Sequence, residues 1–272
     1  MSRLTVSFVL FKTPLEEVAR AVDQVHDSYA DARIVLVDNS PEPNPLPPVD
    51  ASRVRIVRPG RNVGYGAAHN KAFALSSDCE FHAALNTDLT YGPEVFPALM
   101  AFMADIPTAG LVMPRVCYPD GSLQYLCRLL PHPLDVFLRG FARNSRWARE
   151  RSCAYEFRSW NYEEVQEFPF LSGCFMMLRR SVIEEVGGFD ERYFMYGEDV
   201  DLSRRIHERY KTLYYPHVTV RHEYRSERPG SKRAIIKAVN LSRYFHKWGW
   251  FFDRKRSEIN ATTIRSVYSH RI

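Results

Sequence analysis

No run of about 20 consecutive apolar residues occurs in the chain, so no segment of it is long enough to cross a bilayer as a helix. The start, Met1 to Pro14, is a short apolar strand without the small-residue cleavage site of a secretory signal. Cysteine is sparse and unpaired in pattern. The five at 79, 117, 127, 153 and 174 form no Cys-x-x-Cys and are odd in number, which argues against a disulfide framework or a zinc site and for reduced cytoplasmic thiols. No internal repeat or low-complexity tract is present. Acidic residues are scarce only at the end: positions 221–272 hold 13 Lys/Arg against 4 Asp/Glu, so a neutral-to-acidic body carries a basic tail. Such a tail favours an anionic surface or substrate. The basic charge is confined there and no nucleic-acid motif is visible, so nucleic acid is not an expected partner.

The 272 residues, 45% hydrophobic and 25% charged, suit one large α/β domain with an appendage. Strand and helix alternate through the first 115 positions. Strands are read at Leu4–Phe11, Arg33–Val37, Val54–Val57, Phe81–Leu85 and Leu111–Pro114. Helices are read at Leu15–Val25 (Thr13 as N-cap, Pro14 first in the helix), within Asn62–Ser76, and from Gly92-Pro93 to Met103. Five prolines make Ser40–Asp50 a loop. This order predicts a mostly parallel sheet with helices on both faces, which binds ligands at the carboxyl ends of its strands. Asp38, the Gly64–Asn70 turn and Asn86/Asp88 fall at those ends. From Tyr118 to Glu167 the pattern weakens, and the stretch rich in Arg and aromatics (Arg139, Arg143, Arg146, Trp147, Trp160) reads as an insertion or mobile loop.

Candidate site residues have bland alternatives. Gly64-Tyr65-Gly66 followed by His69 in place of a third glycine is a poor dinucleotide fingerprint, and it follows the third strand, so nicotinamide binding is rejected on position. Asn86-Thr87-Asp88 could simply open a turn. Paired with a histidine, Asp88 could instead hold a hard divalent cation bridging two phosphates. His217 and His222 lie five apart and face opposite sides of an extended strand; His222, at the strand's end, is the better candidate. Glu198, Asp199 and Asp201 crowd into four positions after an aromatic loop and the turn Gly187-Gly188-Phe189-Asp190. They form either a solvated helix start or a site that faces something protic or positive. In the tail, Ile235, Ala238, Leu241, Phe245 and Trp248 fall on one helical face, with Lys232, Arg233, Lys237, Arg243 and Lys247 on the other. That face either packs on the domain or docks at an anionic membrane.

In order, Asp38-Asn39-Ser40, Asn62 to Asn70, Leu85 to Asp88, Gly173 with Gly187–Asp190, Met195 to Leu202 and His222 with Ser226 resemble the motifs of family 2 glycosyltransferases with the GT-A fold. The branch most similar is the bacterial rhamnosyltransferase-like one, and the likeness covers about residues 4–226. Lys12 departs from the family's first loop, Thr87 replaces a proline, and Asn86 replaces the first Asp of the D-x-D motif.

The resemblance implies a GT-A domain over 1–226, with a nucleotide-sugar half (1–115) and an acceptor half (116–226), followed by a basic helical tail (227–272). It implies an inverting transferase. Asp199 is the base; Asp38, Asn62, Gly64, Asn70, Asn86 and Asp88 meet the donor nucleotide. Asp88 and His222 hold Mg2+ or Mn2+, and Glu198, Asp201 and Gly173 orient the acceptor. Arg204 and Arg205 are expected to pair with the carboxylates. The expected partners are a nucleotide-diphosphate sugar (dTDP-rhamnose first), a glycan or lipid-linked acceptor, the inner face of the cytoplasmic membrane and, as an option, a second copy in a homodimer. The alternative reading is a non-catalytic nucleotide-sugar or glycan-binding module of the same fold.

Overall fold

The structure is a computed structural model that describes residues 3–136, 145–223 and 232–269. Arg139, Arg143, Ser226, Ser231 and the charges at Arg225, Arg228 and Arg271 lie outside the described residues.

The strands are β1 (Leu4–Leu10), β2 (Arg33–Asp38), β3 (Val54–Val57), β4 (Phe81–Leu85), β5 (Leu89–Tyr91), β6 (Ala109–Cys117), β7 (Cys127–Arg128), β8 (Gln166–Glu167), β9 (Phe170–Leu171), β10 (Phe175–Arg179) and β11 (Lys211–His222). The helices are α1 (Leu15–Ser28), α2 (Tyr65–Ala74), α3 (Val95–Asp105), α4 (Arg146–Tyr155), α5 (Arg180–Val186), α6 (Glu198–His207), α7 (Lys232–Trp248) and α8 (Arg254–Tyr268). The nine-stranded main sheet runs β3-β2-β1-β4-β10-β6-β11-β5, with β8 also on β11, and β7 pairs with β9 apart from it. Strands β3, β2, β1 and β4 are parallel, β10 runs against β4 and β6, and β11 is parallel to β6. Six of the nine strands thus run in one direction, as the alternation predicted, while four of the eight pairings are antiparallel.

Buried β-branched and aromatic runs explain the inner strands. All five residues of β4, Phe81 to Leu85, are buried, the pattern of a strand covered on both faces. Helix α1 sets Val18, Ala21, Val22 and Val25 against the sheet at helical spacing. Its N-cap is Pro14 rather than Thr13, whose hydroxyl instead accepts from the Phe11 N–H at 3.1 Å.

One expectation is corrected and one open alternative gains an observation. The part of the Tyr118–Glu167 stretch that is described is packed: Tyr155, Phe157, Trp160 and Tyr162 are buried in the main core beside Phe168. Aromatic rings at irregular spacing fill a core without leaving a periodic signal. Of the two readings of the tail's apolar face, packing on the domain is the one seen over the second half of α7. Tyr244 and Phe245 of α7 share a core cluster with Leu130, Phe170, Tyr193 and Val200. The buried Arg204 guanidinium forks onto Asp253, the N-cap of α8, at 2.6 and 2.9 Å.

Candidate active site

Strand order and direction assemble the site. The carboxyl ends of β2, β4, β6 and β11 and the amino end of β10 share one edge of the sheet. That edge carries Asp38, Asn86–Asp88, Gly173-Cys174 and His222. Phe175 pairs with Leu85, so the Asn86 N–H reaches the Cys174 carbonyl at 2.9 Å. After Asp88 the chain reverses into β5, which pairs antiparallel with the end of β11 and sets Leu89 opposite His222. This register brings His222 Nε2 to 3.3 Å from Asp88 Oδ1 and 3.4 Å from Asn86 Nδ2.

His222 is buried, while His217 on the same strand is exposed. Gln124 fixes the imidazole, with its Oε1 at 3.1 Å from Nδ1 and its Nε2 donating to the His222 carbonyl at 2.9 Å. Burial opposes the imidazolium charge, but Asp88 and Cys174 outweigh it and lift the His222 pKa to about 10. Asp88 and His222 supply one carboxylate and one imidazole, a set that fits a divalent cation whose other ligands are diphosphate oxygens and water. Among the described residues no third His, Cys, Asp or Glu joins them. A cation held there would replace the direct contact between the two side chains.

Asp199 stands in the first turn of α6, half-buried. Its Oδ2 accepts the Gly173 N–H at 3.2 Å and its Oδ1 the Val200 N–H at 2.9 Å. A Cβ on Gly173 would lie 3.1 Å from Asp199 Cβ, so only glycine leaves room for this approach. From the other side the Tyr65 hydroxyl donates to the Gly173 carbonyl at 2.7 Å. Glu198, one residue earlier, is buried, and its Oε2 has no protein partner. Burial first, and the neighbouring charge of Asp199 second, push its carboxyl well above the usual range. The two adjacent carboxyls therefore differ in environment: Glu198 is buried and favours its protonated form, while Asp199 is half-buried and held by two backbone N–H groups.

Several predicted residues have other work. Both Asp201 oxygens are taken, by Arg205 at 2.8 Å and by Trp248 and Lys247 at 2.8 and 2.6 Å. It is fully buried; it anchors α7 and leaves nothing for an acceptor. Arg205 pairs with Asp201, as expected, while Arg204 turns away to Asp253. Asn70 Oδ1 accepts the Phe189 N–H and its amide donates to the Phe189 carbonyl and to Glu191, tying α2 to the Gly187–Asp190 turn. A Cβ at Gly64, where φ is +95°, would collide with the Phe194 carbonyl. One at Gly66 would lie 2.8 Å from Phe189 Cβ. The Asn62–Asn70 motif is thus a close-packing joint between the two halves. Within it, the Asn62 side-chain oxygen accepts from Gly64 N–H and Asn39.

Asp38 is buried, and its oxygens accept the N–H groups of Ser40 and Asn44 at 3.1 and 2.8 Å. It shapes the Pro-rich loop, whose residues 40–45 with Lys12 and Thr13 line a cleft of about 520 Å³ at the same edge. Lys12, at φ +53°, donates its N–H to Ser40 Oγ. The Thr87 hydroxyl bonds Glu17 and ties the strand exit to α1. The sequence reading missed Tyr65, Cys174 and Gln124 as site residues. Tyr65 lay inside a recognised motif; Gln124 sits 98 residues from its partner and carries no local signal.

A profile described as Glycosyl transferase family 2 matches residues 11–187, and one described as the N-terminal domain of galactosyltransferase matches 151–228. The chain is 32% identical over 206 residues to the N-acetylglucosaminyl-diphospho-decaprenol L-rhamnosyltransferase of Mycobacterium tuberculosis (strain CDC 1551 / Oshkosh). That match covers 70% of this chain and 66% of the relative. An O-antigen biosynthesis protein of Myxococcus xanthus is 27% identical over 52% of this chain and 10% of its own length. Among solved structures, GalNAc-T7 with UDP, GalNAc and Mn2+ superposes with a TM-score of 0.62 at 16% identity, covering 90% of this chain and 48% of that one. A Pyrobaculum calidifontis mannosyltransferase with GDP-Man and Mn2+ gives 0.56 at 17% identity, covering 90% and 63%. These two share the GT-A fold with the chain. With the fold, the motif order and a profile match over most of its length, the chain belongs to glycosyltransferase family 2, on its rhamnosyltransferase-like branch.

Proposed function

We propose that the protein is an inverting glycosyltransferase that moves a sugar, L-rhamnose from dTDP-rhamnose in the first instance, to a hydroxyl of a lipid-linked oligosaccharide or surface glycan. The observation that carries this reading is the approach of Asp199 to Gly173 on the same sheet edge as the Asp88–His222 pair. The acceptor oxygen attacks the anomeric carbon as its proton passes to an Asp199 oxygen. The bond from that carbon to the diphosphate breaks, the electron pair leaves with the nucleoside diphosphate, and the anomeric centre inverts. The Gly173 and Val200 N–H groups hold Asp199 in line, and neutral Glu198 adds no second repelling charge.

Asp88 and His222 would hold a divalent cation, which when bound neutralises charge developing on the departing diphosphate. Lys12 and the cleft at Ser40–Pro45 suit the nucleotide end of the donor, with Asn86 beside the diphosphate. The mycobacterial relative's lipid-linked substrate and the basic tail support work at the inner face of the cytoplasmic membrane, met peripherally. Among the described residues no helix is long and apolar enough to cross a membrane. The alternative, a binding module of the same fold, has no use for a positioned Asp199. Nucleotide release measured across dTDP-, UDP- and GDP-sugars with Mn2+ and a polyprenyl-diphosphate-linked acceptor tests the reading. Release from dTDP-rhamnose alone is expected. Release from another donor would overturn the rhamnosyl specificity, and release from none would favour the binding module.

A further inference from the structure

The apolar face that the spacing assigns to α7 is turned inward over its second half. Phe245 is buried, and Leu241 and Trp248 pack beside it. A different line is left in water. Ile235 and Val239 are 62% and 47% exposed, and His246 lies two turns further along the same side of the helix. Positions 235, 239, 242 and 246 recur as one helical stripe. The loop between α7 and α8 extends it with Trp250, Phe251 and Phe252, which are 40%, 66% and 99% exposed. The Trp250 indole N–H points back at His246.

This aromatic loop is built, not loose. Gly249 turns at φ +101°, and a Cβ there would lie 2.8 Å from the Phe252 carbonyl. The buried Arg256 guanidinium donates from beneath to the carbonyls of Gly249, Trp250 and Phe251 at 3.3, 3.0 and 3.4 Å. The carbonyls are therefore held inward, while Trp250 rests on Phe245 and Phe251 on His132 with their outer faces in water and Phe252 stands clear. Residues 232–256 hold eight Lys/Arg against Asp253 alone; Lys247, Arg254 and Lys255 pair with acidic side chains and Arg256 is buried, which leaves a smaller net positive surplus beside the ridge. On the opposite, inward side of the same helix the Lys237 ammonium lies 5.6 Å from the Tyr196 ring, two residues before Glu198, so α7 itself borders the rim of the candidate active site.

We propose that this ridge, Ile235–Val239 on α7 with Trp250-Phe251-Phe252 on the following loop, is an interfacial seat for an anionic lipid bilayer. Indole and phenyl rings belong at the headgroup boundary, and flanking Lys and Arg favour anionic lipid. A second copy of the chain would bring like charges together across the same ridge, which argues against self-association there. The seat rests on the reading that the acceptor is lipid-linked, because it would hold the site rim at the surface where such an acceptor lies.

The test uses the full chain, the variants Phe251→Ser/Phe252→Ser and Ile235→Ser/Val239→Ser, and vesicles of phosphatidylcholine with or without phosphatidylglycerol. Wild type should sediment with the anionic vesicles at low salt and hardly with neutral ones. Each double variant should partition about tenfold more weakly or worse, as expected for losing much of the burial of two apolar side chains. Transfer to a water-soluble acceptor should stay at the wild-type rate, while transfer to a lipid-linked acceptor in vesicles falls with the partitioning. Unchanged partitioning in both variants would overturn the proposal. So would a wild-type dimer, seen by sedimentation velocity and lost in the variants, which would give the ridge to a second copy. Vesicle binding without any sugar transfer would leave the seat standing and remove the catalytic reading instead.

Discussion

Replacing Gly173 by alanine probes the approach of β10 to the catalytic helix with a single methyl. That carbon would sit 3.1 Å from Asp199 Cβ, tighter than nine in ten real Cβ contacts, and at an ordinary 3.6 Å from its Oδ2, so the Asp199 side chain must give by a few tenths of an ångström. The Gly173 N–H to Asp199 Oδ2 hydrogen bond, already 3.2 Å, would stretch with it. A misplacement of 1 Å costs about 10²-fold in rate, so a third to a half of that predicts a loss of about four- to tenfold in kcat. The added carbon meets Asp199 and none of the proposed donor residues Asn86, Asp88 and His222, so the KM for the nucleotide sugar should hold. Gly173 does not use the left-handed region, so the melting temperature should move little. Steady-state kinetics of nucleotide release, with calorimetric binding of the free nucleotide, measures both. A kcat within a factor of two of wild type would refute the claim that this contact sets the aim of Asp199.

Glu198→Gln should melt higher than wild type at pH 8 and no higher near pH 4.5. The folded state favours the protonated acid, so folding takes up a proton and stability falls as pH rises above the ordinary value of 4.5; differential scanning fluorimetry across that range would show a constant difference if this is wrong. Lys247→Met removes one of the partners of fully buried Asp201 while Arg205 and Trp248 remain. It should cost about 1–3 kcal/mol, read as a lower urea midpoint, and an unchanged midpoint would mean that α7 does not depend on this pair. Asp88→Asn, or excess EDTA on wild type, should abolish transfer and weaken donor binding; full activity in EDTA would leave Lys12 and the His222 imidazolium to carry the phosphate charge.

The sheet was legible because its strands are apolar runs of ordinary length separated by turn chemistry, and β3 and β4 begin and end where the sequence puts them. The candidate site was legible as an address, the carboxyl ends of the strands, where Asp88 and His222 come together. It was less legible in the division of labour. A sequence shows that Glu198, Asp199 and Asp201 are neighbours, but the helix turns them in different directions: Asp201 inward to Lys247 and Trp248, 46 and 47 residues away, and Asp199 toward Gly173. Asn70 and Gly64 were expected at the nucleotide from the family motif they resemble, although a packing turn was the plainer reading of the residues themselves. Here the same glycines admit the backbone of Phe189–Phe194. The tail's helix was found by its period, but period alone does not say which flank meets the domain. The buried Arg204–Asp253 pair and the Asp201 anchor decide that, and both join distant segments.

The most direct test of the catalytic assignment is Asp199→Asn, assayed for nucleotide release from its best donor with acceptor present and for binding of the same nucleotide by calorimetry. Turnover should fall by about 10² or more, the scale of a general base, while nucleotide affinity stays at the wild-type value. Near wild-type turnover in that variant would contradict the assignment of Asp199 as the base.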